Sequence, residues 1–157
     1  MIEPVIAIGQ AAPCPDHVPP EVRTIFDEGA RCLAMGCYDA SGTMFRKVVD
    51  KTTRAMLPPQ PDDEDKSHPE FIAWKVRKDL KLRLEWLVRH GKISATLEPL
   101  LESVREDGND AAHATIGKEE AEDLLDFTVV LLETLFTLPG QIEANRVRRE
   151  ARRQGVA

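Results

Sequence analysis

The chain has 157 residues, of which 42% are hydrophobic and 31% charged, the balance of an ordinary globular domain. Its net charge of −6 argues against a broad nucleic-acid surface but leaves room for a local basic site. No apolar run approaches the ~18 residues needed to span a membrane, and the N-terminus lacks the basic segment of a secretory signal. The three cysteines form no paired framework, so we expect a cytoplasmic protein without membrane contact.

Prolines dominate the first part of the chain, at Pro4, Pro13, Pro15 and Pro19. Because proline lacks a backbone donor and fixes φ, residues 1–19 are predicted to form an extended arm over the surface. Apolar residues then recur at helical spacing up to Pro58. The pattern predicts two helices in this part of the chain, at about 20–35 and 38–57.

A proline-rich acidic loop is predicted at 58–70, where the composition cannot pack a core and favours mobility. A third helix follows at about 78–90 and ends at Gly91. A fourth begins close to Pro99, since proline is not tolerated in a helix interior, and reaches about Asp107.

The most apolar helix is predicted at about 118–137, and its apolar residues surround nearly the whole helix, as in the central helix of a bundle. We expect Pro139-Gly140 to stop it and a last helix with five arginines to follow at 141–154. Glu143 and Glu150 are interspersed among these arginines, so we interpret this helix as solvated, with phosphate binding as the alternative.

Together these elements predict a single all-α bundle of five or six helices, since no segment shows strand alternation with turn chemistry. The bundle covers 20–140, between the arm and a basic C-terminal helix at 141–157. The four apolar residues from Val129 to Leu132 cannot all face one core. We therefore expect a twofold homodimer, the commonest closed symmetry.

Polar chemistry is concentrated between Arg105 and His113. In a helix Arg105, Asn109 and His113 would lie along one face, because they are four residues apart. Gly108 disfavours a smooth helix there and predicts a kink that Asn109 or Asp110 could cap.

Several sequence landmarks recur in an order typical of one group of proteins. They are Pro20-Glu-Val22, Glu28-x-Ala30-x-Cys32-Leu33, Gly36-x-Tyr38-x-Ala40, Arg46, Leu87-Val-x-x-Gly91-x-Ile93, Arg105-x-x-Gly-Asn-Asp-Ala-Ala-His113 and Glu119-Glu-Ala121 leading to Phe127 and Pro139. This series, over about 19–140, resembles a family of bacterial domains of unknown function within the HEPN-like superfamily, found alone or fused to restriction-type nucleases.

The resemblance implies an all-α bundle that often dimerises, in a superfamily that acts in RNA cleavage, toxin–antitoxin systems or phage defence. Its catalytic members use an arginine and a histidine separated by four to six residues. Here Arg105 and His113 are separated by seven, and Gly108 stands where the arginine is expected.

Two interpretations of Arg105, Asn109 and His113 remain. In metal-independent RNA cleavage, His113 would be the general base and Arg105 would stabilise the charged phosphate. In a structural role, which we favour, Asn109 caps a helix while His113 and Arg105 bond carbonyls and Asp110.

Neither a cofactor nor a metal is predicted. Cys32 and Cys37, with Cys14 and His17, have poor spacing for zinc, and we interpret Cys32 and Cys37 as small core residues. No nucleotide-binding loop or nucleophile elbow occurs in the sequence. The favoured function is a non-catalytic binding module in a nucleic-acid-related or phage-defence setting, with a protein partner or RNA as ligand. The alternatives are a ribonuclease and an antitoxin-like partner of a separate nuclease.

Overall fold

Six helices and no strand make up the part of the chain that the computed structural model describes, residues 9–59, 71–105 and 115–155. The side chains of Ser103 and Arg105 are outside this description. The helices are α1 Pro20–Ala34, α2 Tyr38–Met56, α3 Trp74–Lys78, α4 Leu80–Arg89, α5 Glu98–Arg105 and α6 Lys118–Arg153. The prediction of an all-α single domain is confirmed. Most of the acidic loop predicted at 58–70 lies outside the described residues.

The prediction that Pro139-Gly140 stops a helix is wrong, because α6 continues through both residues. Its α-helical parts, Lys118–Leu132 and Leu138–Arg153, are joined by a π-helical segment, Glu133–Thr137. The N–H of Leu138 donates to the carbonyl of Glu133, five residues earlier. Pro139 therefore lies at the start of a new α-helical ladder, where a missing N–H is tolerated.

Three helices each bury a phenylalanine completely in the core: Phe26 on α1, Phe45 on α2 and Phe127 on α6. The rings of Phe26 and Phe45 have centroids 5.5 Å apart and planes tilted by 54°, a favourable aromatic geometry. Each phenylalanine lies on the buried face of its amphipathic helix. The first half of α6 is thus the central helix of the bundle, as predicted.

A charged side chain is also fully buried in this core, Arg83 on α4. Its Nε donates to Thr53 Oγ1 at 3.0 Å, its Nη1 donates to the carbonyl of Arg77 at 2.6 Å, and its Nη2 pairs with Asp50. Burial lowers the pKa of the Arg83 guanidinium, and the Asp50 carboxylate opposes this shift. Each of the three guanidinium nitrogens has a partner, and the bonds to Thr53 and Asp50 connect α4 to α2.

The described part of the arm, residues 9–19, is not helical. Val18 is buried, and the guanidinium of Arg23 donates to the carbonyl of Pro15 at 2.9 Å. The hydroxyl of Thr137 donates to the carbonyl of Asp16 at 2.7 Å. The arm therefore crosses α6 at the junction between its two α-helical parts.

Candidate functional site

Of the residues proposed for catalysis, Arg105 is the last residue of α5, whereas Asn109 and His113 lie outside the described residues. The residues that flank this stretch are packed in the core, because Val104 before it and Ile116 after it are buried. The N–H of Ile116 donates to Asp39 Oδ1 at 3.0 Å. The proposed catalytic arrangement of these residues stays a prediction.

Gly42 lets the stretch before α6 approach α2 closely. A Cβ on Gly42 would lie 2.6 Å from Cδ1 of Ile116 and 3.3 Å from Cδ1 of Leu124. No larger residue fits there without displacing Ile116. The return of the chain to α6 is thus set by a packing contact with α2.

Charged residues lie near the segment that leads into α6. Burial lowers the pKa of the half-buried Arg46 guanidinium, while Glu120 and Asp39 oppose the shift. Glu120 also accepts the N–H of Gly117 at 3.3 Å, at the start of α6. The carboxylates of Asp39 and Glu120 therefore interact with the Arg46 guanidinium and accept hydrogen bonds from backbone N–H groups. These interactions stabilise the fold. The sequence contains no signal for the contact between Asp39 and Ile116, which are 77 residues apart.

The cysteines differ in exposure, and the N–H of Cys37 donates to the carbonyl of Cys32 at 2.8 Å. Cys14 and Cys32 are half-buried, but Cys37 is exposed, so its interpretation as a core residue is wrong. Burial raises the pKa of the Cys14 thiol, which lowers its reactivity. Within the described residues no group of three or more His, Cys, Asp or Glu side chains could hold a metal ion.

The two α-helical parts of α6 differ sharply in burial. We call Lys118–Leu132 the packed half and Leu138–Arg153 the exposed half. Six residues of the packed half are buried: Ala121, Leu124, Phe127, Thr128, Leu131 and Leu132. In the exposed half every side chain from Gln141 to Glu150 is exposed. Three large apolar side chains there face solvent: Leu138 at 55% exposure, Ile142 at 62% and Val147 at 51%.

The charges of the exposed half are organised along the helix. Arg146 bonds both oxygens of Glu143, at 2.9 and 2.7 Å, and Glu150 at 2.6 Å. These bonds lower the pKa of Glu143 and raise that of Arg146. The other four arginines make no ion pair with a described residue. They are Arg148, Arg149, Arg152 and Arg153.

By length and composition α6 is apolar enough to cross a membrane, and the expectation of a protein without membrane contact stays a prediction. Asp126 and Glu133 interrupt its apolar residues without lowering the mean hydropathy enough to exclude a span. The central helix of a soluble bundle has the same composition, and the cytoplasmic location stays a prediction.

The fold defines a class of protein, an all-α domain in which one end of a helix is exposed and charged. The chain matches the family model described as "Domain of unknown function (DUF4145)" over residues 27–150, and it belongs to this family. Searches of the curated proteins and of the solved structures each returned no match. The family match agrees with the predicted domain of unknown function, whereas its place in the HEPN-like superfamily stays a prediction.

Proposed function

We propose that this protein is a non-catalytic helical binding module whose binding element is the exposed half of α6. The observation that carries the proposal is the exposure of every side chain from Gln141 to Glu150 on a continuous helix. Burial of a core face stabilises most helices in folded proteins. A helix that continues beyond the core and keeps large apolar residues in solvent is a surface suited to a partner.

Local interactions support this role because they keep the binding element helical before a partner arrives. The exposed half is continuous with the packed half through the π-helical segment, so it needs no nucleation of its own. Arg146 is bonded to residues three positions before and four positions after it, spacings that stabilise a solvated helix. A preformed helix loses less conformational entropy on binding.

The chemistry around the start of α6 also favours binding over catalysis. Asp39, Glu120 and Arg46 form a charge cluster that holds the chain in place, rather than a nucleophile beside a base. The nucleic-acid-related or phage-defence setting rests on the resemblance to the HEPN-like superfamily. A ribonuclease using Arg105 and His113 remains the alternative, and an antitoxin-like partner of a nuclease is one form of the binding module.

Site-specific photo-crosslinking in the native host tests the binding element. A photoreactive amino acid at Ile142 is expected to give a defined protein adduct, either with another copy or with a second protein. The matched control carries the same amino acid at Lys81, an exposed position on α4, and should give no adduct. Absence of a protein adduct from Leu138, Ile142 and Val147 alike would contradict the proposal.

The catalytic alternative is tested separately with purified full-length protein, mixed RNAs and EDTA, which excludes metal-dependent nucleases. We expect intact RNA. Cleavage that disappears in both His113→Ala and Arg105→Ala would replace the binding module with a ribonuclease.

A further inference from the structure

We propose that a second copy of this chain binds along the outer face of α6, so that the two α6 helices pair antiparallel. The inference rests on the proposed function, since it names the partner of the same helix. It is carried by the distribution of charge along α6. The packed half is acidic on its exposed residues, and the exposed half is basic.

The acidic and basic groups are mirror images in spacing. Three exposed carboxylates of the packed half are Glu122, Asp123 and Asp126, and three exposed arginines of the exposed half are Arg149, Arg152 and Arg153. The Thr137–Leu138 bond lies midway in sequence between the two groups. For each carboxylate, one of the arginines lies the same number of residues beyond that bond as the carboxylate lies before it. In an antiparallel pair centred on that bond, Asp126 of each copy lies opposite Arg149 of the other. Glu122 then lies opposite Arg153, and Asp123 opposite Arg152.

Both groups also face the same side of α6. An α-helix turns by about 100° per residue, and the π-helical segment takes up one extra residue in its turn. Asp126 and Arg149 consequently differ in direction by only about 40°. The carboxylates lie opposite the buried stripe of the packed half, since Asp126 is exposed whereas Leu124 and Thr128 are buried.

Apolar residues occupy the space between the charged groups. Val130 is half-buried, and Leu138 and Ile142 are more than half exposed. In the antiparallel pair the two Leu138 side chains lie beside the twofold axis, where they would cover one another. A parallel pair would instead place carboxylates against carboxylates and arginines against arginines, which is unfavourable. The charges therefore select one orientation.

Charge reversal tests this pairing with purified full-length protein. Wild type should have a mass of twice 17.6 kDa by light scattering at micromolar concentration, and association should weaken as salt rises. Arg149→Glu/Arg152→Glu/Arg153→Glu is expected to weaken it at least about tenfold, and so is Glu122→Arg/Asp123→Arg/Asp126→Arg. The protein with all six changes should associate within about threefold of wild type, because the opposite charges have only changed places.

Two controls separate loss of pairing from loss of folding. Lys81→Glu/Arg89→Glu changes exposed charges on α4 and should leave the mass unchanged. The two triple variants, each monomeric alone, should associate when mixed, which also shows that both are folded. If the protein with all six changes is folded by circular dichroism but stays monomeric, the proposed pairing is wrong.

Cysteine cross-linking tests the position of the axis in a Cys37→Ser background, which removes the exposed native thiol. Leu138→Cys should give a disulfide-linked dimer under mild oxidation. Lys118→Cys should not, because the two copies of residue 118 would lie about 58 Å apart at 1.5 Å per residue.

Different results would reject the self-pairing and the binding module. A strict monomer at 100 µM, together with a crosslink from Ile142 to a different protein, would reject the self-pairing and leave the binding module in place. Binding of a fluorescent RNA or DNA duplex is measured for the same proteins. If wild type binds the duplex and neither the arginine triple variant nor the protein with all six changes does, the arginines bind nucleic acid instead. That result would overturn the self-pairing.

Discussion

The packed and exposed halves of α6 have nearly the same length, 15 and 16 residues, but different forces keep them helical. The packed half buries a stripe of apolar residues mainly against α2 and α5, so tertiary contacts stabilise it. The exposed half depends on its connection to the packed half and on ion pairs along its own surface. One continuous helix thus combines an element of the core with an element available for binding.

The largest expected difference between the halves concerns core packing. Phe127→Ala removes a fully buried ring and should lower the free energy of unfolding by about 3–5 kcal/mol. Val147→Ala, in the exposed half, should change it by less than about 0.5 kcal/mol. Urea denaturation of the monomeric arginine triple variant, as background, measures both. A large loss of stability in Val147→Ala would mean that the exposed half packs on its own bundle.

Loss of an ion pair should lower stability more in the core than in the exposed half. Asp50→Asn leaves the buried Arg83 guanidinium without its carboxylate and should cost about 2–3 kcal/mol, since Asp50 is half-buried and the bonds to Thr53 and Arg77 remain. Glu143→Gln removes a carboxylate from the solvated Arg146 and should cost less than about 0.5 kcal/mol. Equal effects in thermal denaturation would show that Arg83 contributes no more than a surface pair.

The segment before α6 offers a third comparison, between structure and catalysis. If His113 has the structural role that we favour, His113→Ala leaves a polar group without its partner and costs about 1–3 kcal/mol. For a domain of this size the melting temperature then falls by roughly 2–8 °C. RNA cleavage in wild type that is lost in His113→Ala, with unchanged melting, would favour catalysis instead.

The smallest effect is expected at the junction of the two halves. A Cβ at Gly140 would lie 2.4 Å from Cγ of His17, and His17 has a positive φ of 64°. Gly140→Ala gains helix propensity but displaces His17, so its net effect should be below about 0.5 kcal/mol. In a His17→Gly background, which suits the positive φ, the same change should stabilise by about 0.5–1 kcal/mol. A double-mutant cycle without coupling would show that the arm does not hold the junction.

Some of the candidate site was readable in the sequence, and some was not. Five arginines in the last helix, and an apolar helix before it, follow from composition and spacing alone. The exposure of Ile142 and Val147 does not, because helical spacing shows which residues share a face and not whether another element covers that face. The contact of Asp39 with Ile116, and the burial of Arg83 beside Asp50, join residues far apart in the chain for which the sequence contains no local signal.

By itself the sequence determined the all-α class and the boundaries of α1 and α2, since these depend on apolar spacing of 3.6 residues and on prolines beside the helices. Only the tertiary structure decided that α6 passes through Pro139-Gly140. Proline is a strong local signal for a helix end, but a π-helical turn moves the start of the next hydrogen-bond ladder to the proline. That turn joins a helix held by the core to one held by its own ion pairs, and it brings the acidic and basic groups of α6 to one side.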